Sequence, residues 1–198
     1  MNFLEIPGYF GYAKLYEEII NNIPENETII EIGSYFGRST SYLLYLANKL
    51  NKKINIISID TFEGSSEHRE SNFYKKFISN IENLTFKYPL TVLKGENSKI
   101  CNFIPDNSVY CVMIDASHDY ENVKLDIKNW LPKIKSGGFL CGDDYDWGGV
   151  KKAVHEIFNS NVVIEHRNSI VDKETNETVF LDCVKDIYAG NYWKHYVN

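Results

Sequence analysis

Two patterns of hydrophobic residues alternate along the chain. Short apolar runs alternate with stripes in which apolar residues recur every three or four positions, which predicts buried strands alternating with amphipathic helices. The predicted strands cover residues 28–32, 54–59, 90–93, 109–114 and 139–141. The helical stripes cover residues 15–23, 43–50, 73–84, 123–131 and 150–158. This alternation is typical of an α/β fold with a doubly wound, mostly parallel sheet and right-handed crossovers.

The end of the chain follows a different pattern. Residues 162–184 alternate between apolar and polar positions on either side of a polar turn at 173–177, which predicts an antiparallel end to the sheet. The length of 198 residues suits one well-packed domain, so we expect a single domain over 1–198. Within it, we expect residues 1–24 to form an N-terminal cap helix and residues 185–198 to form a C-terminal tail.

A loop with two glycines follows the first predicted strand. Residues 31–39 read E-I-G-S-Y-F-G-R-S. Gly33 and Gly37 allow a sharp strand-to-helix turn and a close approach of the backbone to a ligand. The dinucleotide fingerprint G-x-G-x-x-G is absent, because Tyr35 and Phe36 fill the space that a pyrophosphate needs. The loop therefore favours a ligand without phosphates, and an ordinary tight turn is the alternative interpretation.

Acidic residues end several of the predicted strands. At the carboxyl ends of four strands, the edge where open α/β sheets bind ligands, the sequence has Glu31, Asp60, Asp115 and Asp143. Asp60 lies 23 residues (60 − 37) after Gly37, at the end of the second strand. A carboxylate there can accept hydrogen bonds from both hydroxyls of a ribose. Asp60 therefore predicts an adenosine-containing cofactor, although NAD enzymes use the same device.

A second group of polar residues favours a metal ion. Asp115, Asp143 and Asp144 follow adjacent predicted strands and offer carboxylate oxygens, which hard divalent cations such as Mg²⁺ prefer. His118 follows Asp115 by three residues and can act as a general base near neutral pH. In the alternative interpretation, the two consecutive aspartates cap the following helix, and His118 lies at the surface or at the start of a helix.

The pattern E-x-G-x-x-x-G-x-S after the first strand resembles motif I of the class I S-adenosylmethionine (SAM)-dependent methyltransferases. The resemblance extends over residues 7–158 and implies a Rossmann-like, seven-stranded sheet whose last strand is antiparallel. It also implies SAM as the cofactor, with polar residues after the third strand near the adenine; a solvated turn with a helix cap is equally consistent there. The implied cofactor-binding residues are Glu31, Gly33, Ser34, Tyr35, Gly37, Ser39, Asp60, Thr61, Glu96, Asn97, Ser98 and Asp115.

The residues after strands four and five are similar to those of the metal-dependent O-methyltransferases, including the catechol and macrolide-sugar enzymes. In those families, the positions matching Asp115, Asp143 and Asp144 hold Mg²⁺, and the position of His118 holds the catalytic base, a histidine in the sugar type. The resemblance therefore implies a SAM-dependent O-methyltransferase that acts on a hydroxyl of a small, sugar- or polyol-like acceptor. The alternatives are a metal-independent methyltransferase, a nucleotide-binding oxidoreductase and a non-catalytic SAM-binding subunit.

Composition limits the partners further. The net charge of −6 and the scattered basic residues argue against an extended nucleic-acid surface. The chain has neither a targeting pattern at its N-terminus nor a membrane-spanning run, so we expect a cytoplasmic protein; a homo-oligomer is left open. The cysteines are far apart and are expected to be buried free thiols; they are Cys101, Cys111, Cys141 and Cys183.

Overall fold

The computed structural model describes residues 3–64, 72–166, 170–171, 178–179 and 191–197. The strands are β1 (Thr28–Ile32), β2 (Asn55–Asp60), β3 (Leu90–Lys94), β4 (Val109–Ile114), β5 (Ile134–Gly142), β6 (Val163–His166), β7 (Ile170–Val171), β8 (Thr178–Val179) and β9 (Asn191–Tyr196). The helices are α1 (Ala13–Asn22), α2 (Arg38–Lys49), α3 (Phe73–Glu82), α4 (Asn97–Ile100), α5 (Tyr120–Trp130) and α6 (Gly148–Phe158). Single 3-10 turns lie at Phe3–Glu5, Cys101–Phe103 and Leu131–Lys133.

The central sheet has seven strands in the order β3-β2-β1-β4-β5-β9-β6. Strands β1 to β5 pair in parallel, whereas β9 is antiparallel to both of its neighbours. The order reverses between β1 and β4, so the carboxyl ends of these two strands flank the switch point where doubly wound sheets bind ligands. The expected seven-stranded α/β sheet with an antiparallel last strand is thus confirmed.

The last strand of the sheet differs from the predicted one in position. Residues 162–184 do contain antiparallel strands, as expected, because β6 is antiparallel to β9 and β7 is antiparallel to β8. The strand β9, however, lies in the segment assigned to a C-terminal tail and inserts between β5 and β6. The strand carries a buried lysine, Lys194, whose ammonium contacts Glu18 at 2.6 Å and Glu165 at 2.9 Å. Because this interior position is charged, the hydrophobic pattern of the strand is interrupted. Part of 162–184 and of the tail lies outside the described residues.

The sheet is covered on both faces. On one face α1 and α2 pack against it through residues such as Leu15 and Leu43, and on the other α5 and α6 pack through residues such as Ile127 and Val154. Because both faces are covered, β4 is apolar throughout its buried length, as a central parallel strand should be. In the described ranges, no helix has the length and apolar character needed to cross a bilayer.

The cysteines in the described part of the chain match the expectation. Cys101, Cys111 and Cys141 are buried free thiols. Cys183 lies outside the described residues.

Candidate active site

The two glycines of the loop between β1 and α2 are required by the chain itself. Gly33 has φ +87°, and a Cβ atom there would lie 1.9 Å from the carbonyl oxygen of Asp115. Gly37 has φ +91° and directly precedes α2, with the Phe77 ring 3.1 Å from an added Cβ. The sequence predicted a close approach of this loop to a ligand. The structure shows that Gly33 packs directly on the backbone that follows β4, so the loop and Asp115 form one unit.

Glu31 lies beneath the loop and is fully buried. Its carboxylate accepts hydrogen bonds from the hydroxyls of Tyr16 at 2.6 Å, Ser34 at 3.1 Å and Thr40. Burial raises the pKa of Glu31, and the hydrogen bonds from these hydroxyls lower it. These contacts join β1, α1 and α2 under the loop. A direct contact between Glu31 and a cofactor remains a prediction.

Asp60 ends β2 and holds the loop from the other side. Its Oδ2 accepts hydrogen bonds from the backbone amides of Ser34 at 2.8 Å and Tyr35 at 3.0 Å. Its Oδ1 accepts one from the amide of Phe62 at 2.7 Å. A carboxylate has about four lone-pair sites, so Asp60 retains capacity for a ribose hydroxyl. Asp60, the residue predicted to bind the ribose, therefore also fixes the loop, and this second role was not evident from the sequence.

The other predicted residues around the loop lie in different environments. Tyr35 has φ +49°, and its ring contacts that of Phe36 at a centroid distance of 4.0 Å. Ser39 is buried in the first turn of α2. The Thr61 hydroxyl accepts a hydrogen bond from the Glu63 amide at 3.3 Å. The structure thus brings Ser34, Tyr35 and Ser39 to the loop, and Thr61 follows Asp60 at the adjacent strand end.

The residues after β3 are divided between surface and interior. Glu96 pairs with Lys99 at 2.7 Å on the exposed side of α4. The Asn97 side chain instead accepts a hydrogen bond from Trp130 Nε1 at 3.2 Å and hydrogen-bonds to Asp126. These two hydrogen bonds place the Asn97 side chain in the interface between α4 and α5, and its contact with an adenine remains a prediction. Contacts of Glu96 and Ser98 with the cofactor likewise remain predictions.

The pKa of Asp126 is raised in the folded protein. Burial raises the pKa of this carboxyl from 3.8 to about 6, and its hydrogen bond with Asn97 opposes the change. For an acid with a raised pKa in the folded state, the native protein binds more protons than the unfolded chain between pH 3.8 and about 6. Stability therefore falls as pH rises through this window.

A cluster of polar side chains lies where β4 and β5 end. The ligand atoms of Asp115, His118 and Asp144 lie within 4.8 Å of one another. The His118 Nε2 atom is 2.9 Å from Asp144 Oδ2. Asp143 is buried beside them but is not a member of this group. The structure therefore brings together two of the three predicted metal ligands with the predicted base.

The electrostatics of this cluster favour a bound cation. Burial raises the pKa of Asp115 well above its usual value, and the charges of Asp143 and Asp144 raise it further. A hydrogen bond from Tyr12 and the proximity of His118 lower it. Three acids around one small space repel one another, and a divalent cation would compensate them. Carboxylate oxygens are the donors that hard divalent cations prefer, so these residues fit such an ion.

A small cleft surrounds this cluster, and its rim is aromatic. The cleft is lined by Ile114, Asp115, Ala116, Ser117, His118, Val123, Asp143, Asp144, Val150 and Trp193. Trp147 is 48% exposed, and its ring centroid is 4.5 Å from that of His118. Its backbone amide donates to the Asp144 carbonyl at 2.9 Å, so a tight turn holds this tryptophan beside the acids. An exposed aromatic side chain at this location can contact a substrate.

Sequence reasoning missed one residue of the cluster. The Tyr12 hydroxyl donates to Asp115 Oδ2 at 2.8 Å, although 103 residues separate the two in the chain. Burial and the charge of Asp115 raise the pKa of Tyr12, which keeps the phenol a neutral donor. The available signal was the pair Tyr12 and Tyr16, two polar-tipped aromatics four residues apart in an otherwise apolar helical stripe.

The chain is similar in sequence to a viral and a bacterial protein. It is 29% identical over 136 residues to protein R132 of Acanthamoeba polyphaga mimivirus, an alignment that covers 65% of this chain and 57% of that protein. It is 24% identical over 109 residues to protein y4gI of Sinorhizobium fredii, covering 54% of this chain and 12% of that protein. The chain thus spans little more than half the length of the viral relative and a small part of the bacterial one.

Solved structures share the fold at low sequence identity. The O-methyltransferase NovP superimposes with a TM-score of 0.64 at 17% identity, covering 94% of this chain and 78% of that one. CalS11, a TDP-rhamnose 3′-O-methyltransferase of calicheamicin biosynthesis, gives a TM-score of 0.60 at 13% identity, with coverages of 94% and 77%. A SAM-dependent O-methyltransferase from Thermotoga maritima gives 0.59 at 12% identity, with coverages of 98% and 67%. These similarities concern the fold.

The family is given by a sequence match to the central part of the chain. A family model described as a methyltransferase domain matches residues 30–145. This range is more than half of the 198 residues and includes Gly33, Asp60, Asp115 and Asp144. The match agrees with the resemblance of the glycine loop to motif I, and it argues against the oxidoreductase interpretation of that loop. The chain therefore belongs to the methyltransferase domain family.

Proposed function

We propose that this protein is a SAM-dependent O-methyltransferase that acts on a hydroxyl of a small, sugar- or polyol-like acceptor, with a divalent cation at the acidic cluster. One observation carries the proposal: Asp115, His118 and Asp144 present their ligand atoms within 4.8 Å of one another. This cluster adjoins the glycine loop, since Gly33 packs directly on the Asp115 backbone. A cofactor held by the loop and an acceptor held at the cluster would therefore be neighbours.

The loop and the end of β2 supply the groups that suit SAM. Asp60 can accept a hydrogen bond from a ribose hydroxyl, while the loop that it fixes presents backbone close to the ligand. When bound, SAM supplies an electrophilic methyl group on a positively charged sulfur. The predominance of acids along this sheet edge favours such a cation over a phosphate-bearing dinucleotide.

Asp115 and Asp144 are the residues that would hold the cation, with Asp143 as the third predicted ligand. A divalent cation such as Mg²⁺ supplies Lewis acidity, which lowers the pKa of a chelated hydroxyl and fixes the position of its oxygen. The carboxylates are on adjacent strand ends, so the fold itself sets their spacing. Their mutual repulsion without a cation supports this assignment.

His118 is the proposed general base. An ionised carboxylate only accepts hydrogen bonds, so the contact of 2.9 Å with Asp144 orients the imidazole with its hydrogen on Nε2. His118 would accept the proton of the acceptor hydroxyl. SAM would supply the methyl group to that oxygen, so the products would be a methyl ether and neutral S-adenosylhomocysteine. Positioning contributes on the order of 7–11 kcal/mol to such a reaction, and a base about 10²–10⁴-fold.

Trp147 supports a ring-shaped acceptor. Its exposed face borders His118, and an aromatic face can pack against the C–H groups of a sugar ring. The three structural neighbours described above are O-methyltransferases, and CalS11 acts on TDP-rhamnose. The negative charge of the cleft disfavours acceptors whose anionic group lies near the reacting hydroxyl.

A metal-independent methyltransferase is the second candidate. It is favoured by the direct contact between His118 and Asp144, which resembles a base with its orienting acid and needs no cation. The two candidates differ in their response to chelation. We would assay methyl transfer from labelled SAM to a panel of sugars, glycosides and catechols in EDTA, then with Mg²⁺ or Mn²⁺ restored. Loss and recovery of transfer supports the cation, and full activity in EDTA refutes it. Binding of S-adenosylhomocysteine without transfer to any acceptor would favour a non-catalytic subunit.

A further inference from the structure

The residue that directly precedes α1 contacts the acidic cluster, although it belongs to none of the strands that carry the acids. Tyr12 directly precedes α1, and its hydroxyl donates to Asp115 Oδ2 at 2.8 Å. Tyr12 has no exposed surface, whereas Asp115 is partly exposed in the cleft. Among the side chains that the structure describes at the cluster, Tyr12 is thus a neutral donor within a group of acids.

Packing fixes the position of this hydroxyl. The Tyr12 ring meets Phe10 edge to face at a centroid distance of 4.8 Å and Tyr16 at 5.1 Å. One helical turn later, Tyr16 donates to Glu31 at 2.6 Å in the same way. The residue before α1 and the first turns of the helix therefore direct two phenols at an acid in β1 and at the acid that follows β4, the two strands that flank the switch point.

We propose that Tyr12 is a positioning residue of the cation site, because its rigid hydroxyl holds one oxygen of Asp115 and thereby fixes the carboxylate toward the cleft. The inference rests on the proposed function. It assigns a role to an N-terminal residue that lies before the range matched by the family. Groups that hydrogen-bond to metal ligands orient them, and their loss typically costs about 10- to 100-fold in metal affinity.

The test compares Tyr12→Phe with a matched control, Tyr192→Phe. Both substitutions keep the ring and delete one buried phenol hydroxyl, since Tyr192 is fully buried and donates to Glu165 at 2.6 Å, away from the cluster. The first readout is Mn²⁺ affinity by titration calorimetry of the full chain. The second is the affinity for S-adenosylhomocysteine in EDTA, and the third is the melting temperature in EDTA.

We expect Tyr12→Phe to bind Mn²⁺ about 10- to 100-fold more weakly than the wild type. Tyr192→Phe should bind it as the wild type does, and the two variants should have comparable melting temperatures. Wild-type Mn²⁺ affinity in Tyr12→Phe would overturn the inference while the proposed cation site stands. Parallel loss of Mn²⁺ and S-adenosylhomocysteine with a much lower melting temperature than the control would also overturn it, because the role would then be structural. A wild type that binds no Mn²⁺ refutes the cation site, and the inference with it.

Discussion

The substitution Asp60→Asn tests whether this carboxylate fixes the glycine loop, binds the cofactor ribose, or does both. In the structure, Oδ2 accepts two backbone amides, from Ser34 and Tyr35, and Oδ1 accepts the amide of Phe62. Asparagine has the same shape but only one accepting oxygen. Its NH₂ group must therefore face either the loop amides or the Phe62 amide, donor against donor.

The magnitude follows from the hydrogen bonds lost. A hydrogen bond to a charged group contributes roughly 1.5–3 kcal/mol, so the variant without ligand should lose about that much stability, or roughly 3–12 °C in melting temperature for a domain of this size. If the ribose also bonds to Asp60, affinity for S-adenosylhomocysteine should fall by roughly 10- to 150-fold. Asp106→Asn is the control, because Asp106 forms an exposed ion pair of 2.7 Å with Lys133 far from the loop.

Differential scanning fluorimetry and calorimetric titration separate the two roles of Asp60. An unchanged melting temperature without ligand would refute the role in fixing the loop. Unchanged affinity for S-adenosylhomocysteine would refute the ribose assignment even if the protein is destabilised.

Two further predictions concern His118 and Asp126. Replacing His118 with alanine should lower kcat by about 10²–10⁴-fold with little change in S-adenosylhomocysteine affinity. As a control, alanine at His155, an exposed histidine of α6, should leave both kcat and this affinity unchanged. A normal kcat in the His118 variant would exclude His118 as the base. Replacing Asp126 with asparagine removes a carboxyl whose pKa is raised from 3.8 to about 6. The variant should be more stable than the wild type at pH 7–8, by on the order of 1–3 kcal/mol, and the difference should vanish near pH 4. Chemical denaturation across this pH range checks the sign, and a difference that grows toward low pH would refute it.

Much of the parallel part of the fold could be predicted because each strand there has one clear pattern. A buried parallel strand such as β4 is apolar on both faces, and the amphipathic helices between strands keep their spacing. The edge formed by β9 and β6 could not be predicted in the same way. Lys194 is stabilised inside by Glu18 and Glu165, and a contact over 176 residues of chain leaves no local signal.

The candidate site shows the same division between local and distant information. The acids at the ends of β4 and β5 were recognisable because the strand pattern placed them at one edge. The contact of Tyr12 with Asp115 depends on how α1 packs on the sheet, so it required the structure. The hydrogen bonds of Asn97 with Trp130 and Asp126 also depend on packing, so they too required the structure.

The central claim is that a divalent cation and the cofactor bind side by side at the ends of β1, β2, β4 and β5. A crystal structure with S-adenosylhomocysteine and Mn²⁺, with the metal located by its anomalous signal, tests this directly. We predict one Mn²⁺ peak coordinated by carboxylate oxygens of Asp115 and Asp144 at about 2.0–2.6 Å, with the ribose on Asp60. Cofactor bound at the glycine loop with no metal peak at these acids would contradict the claim.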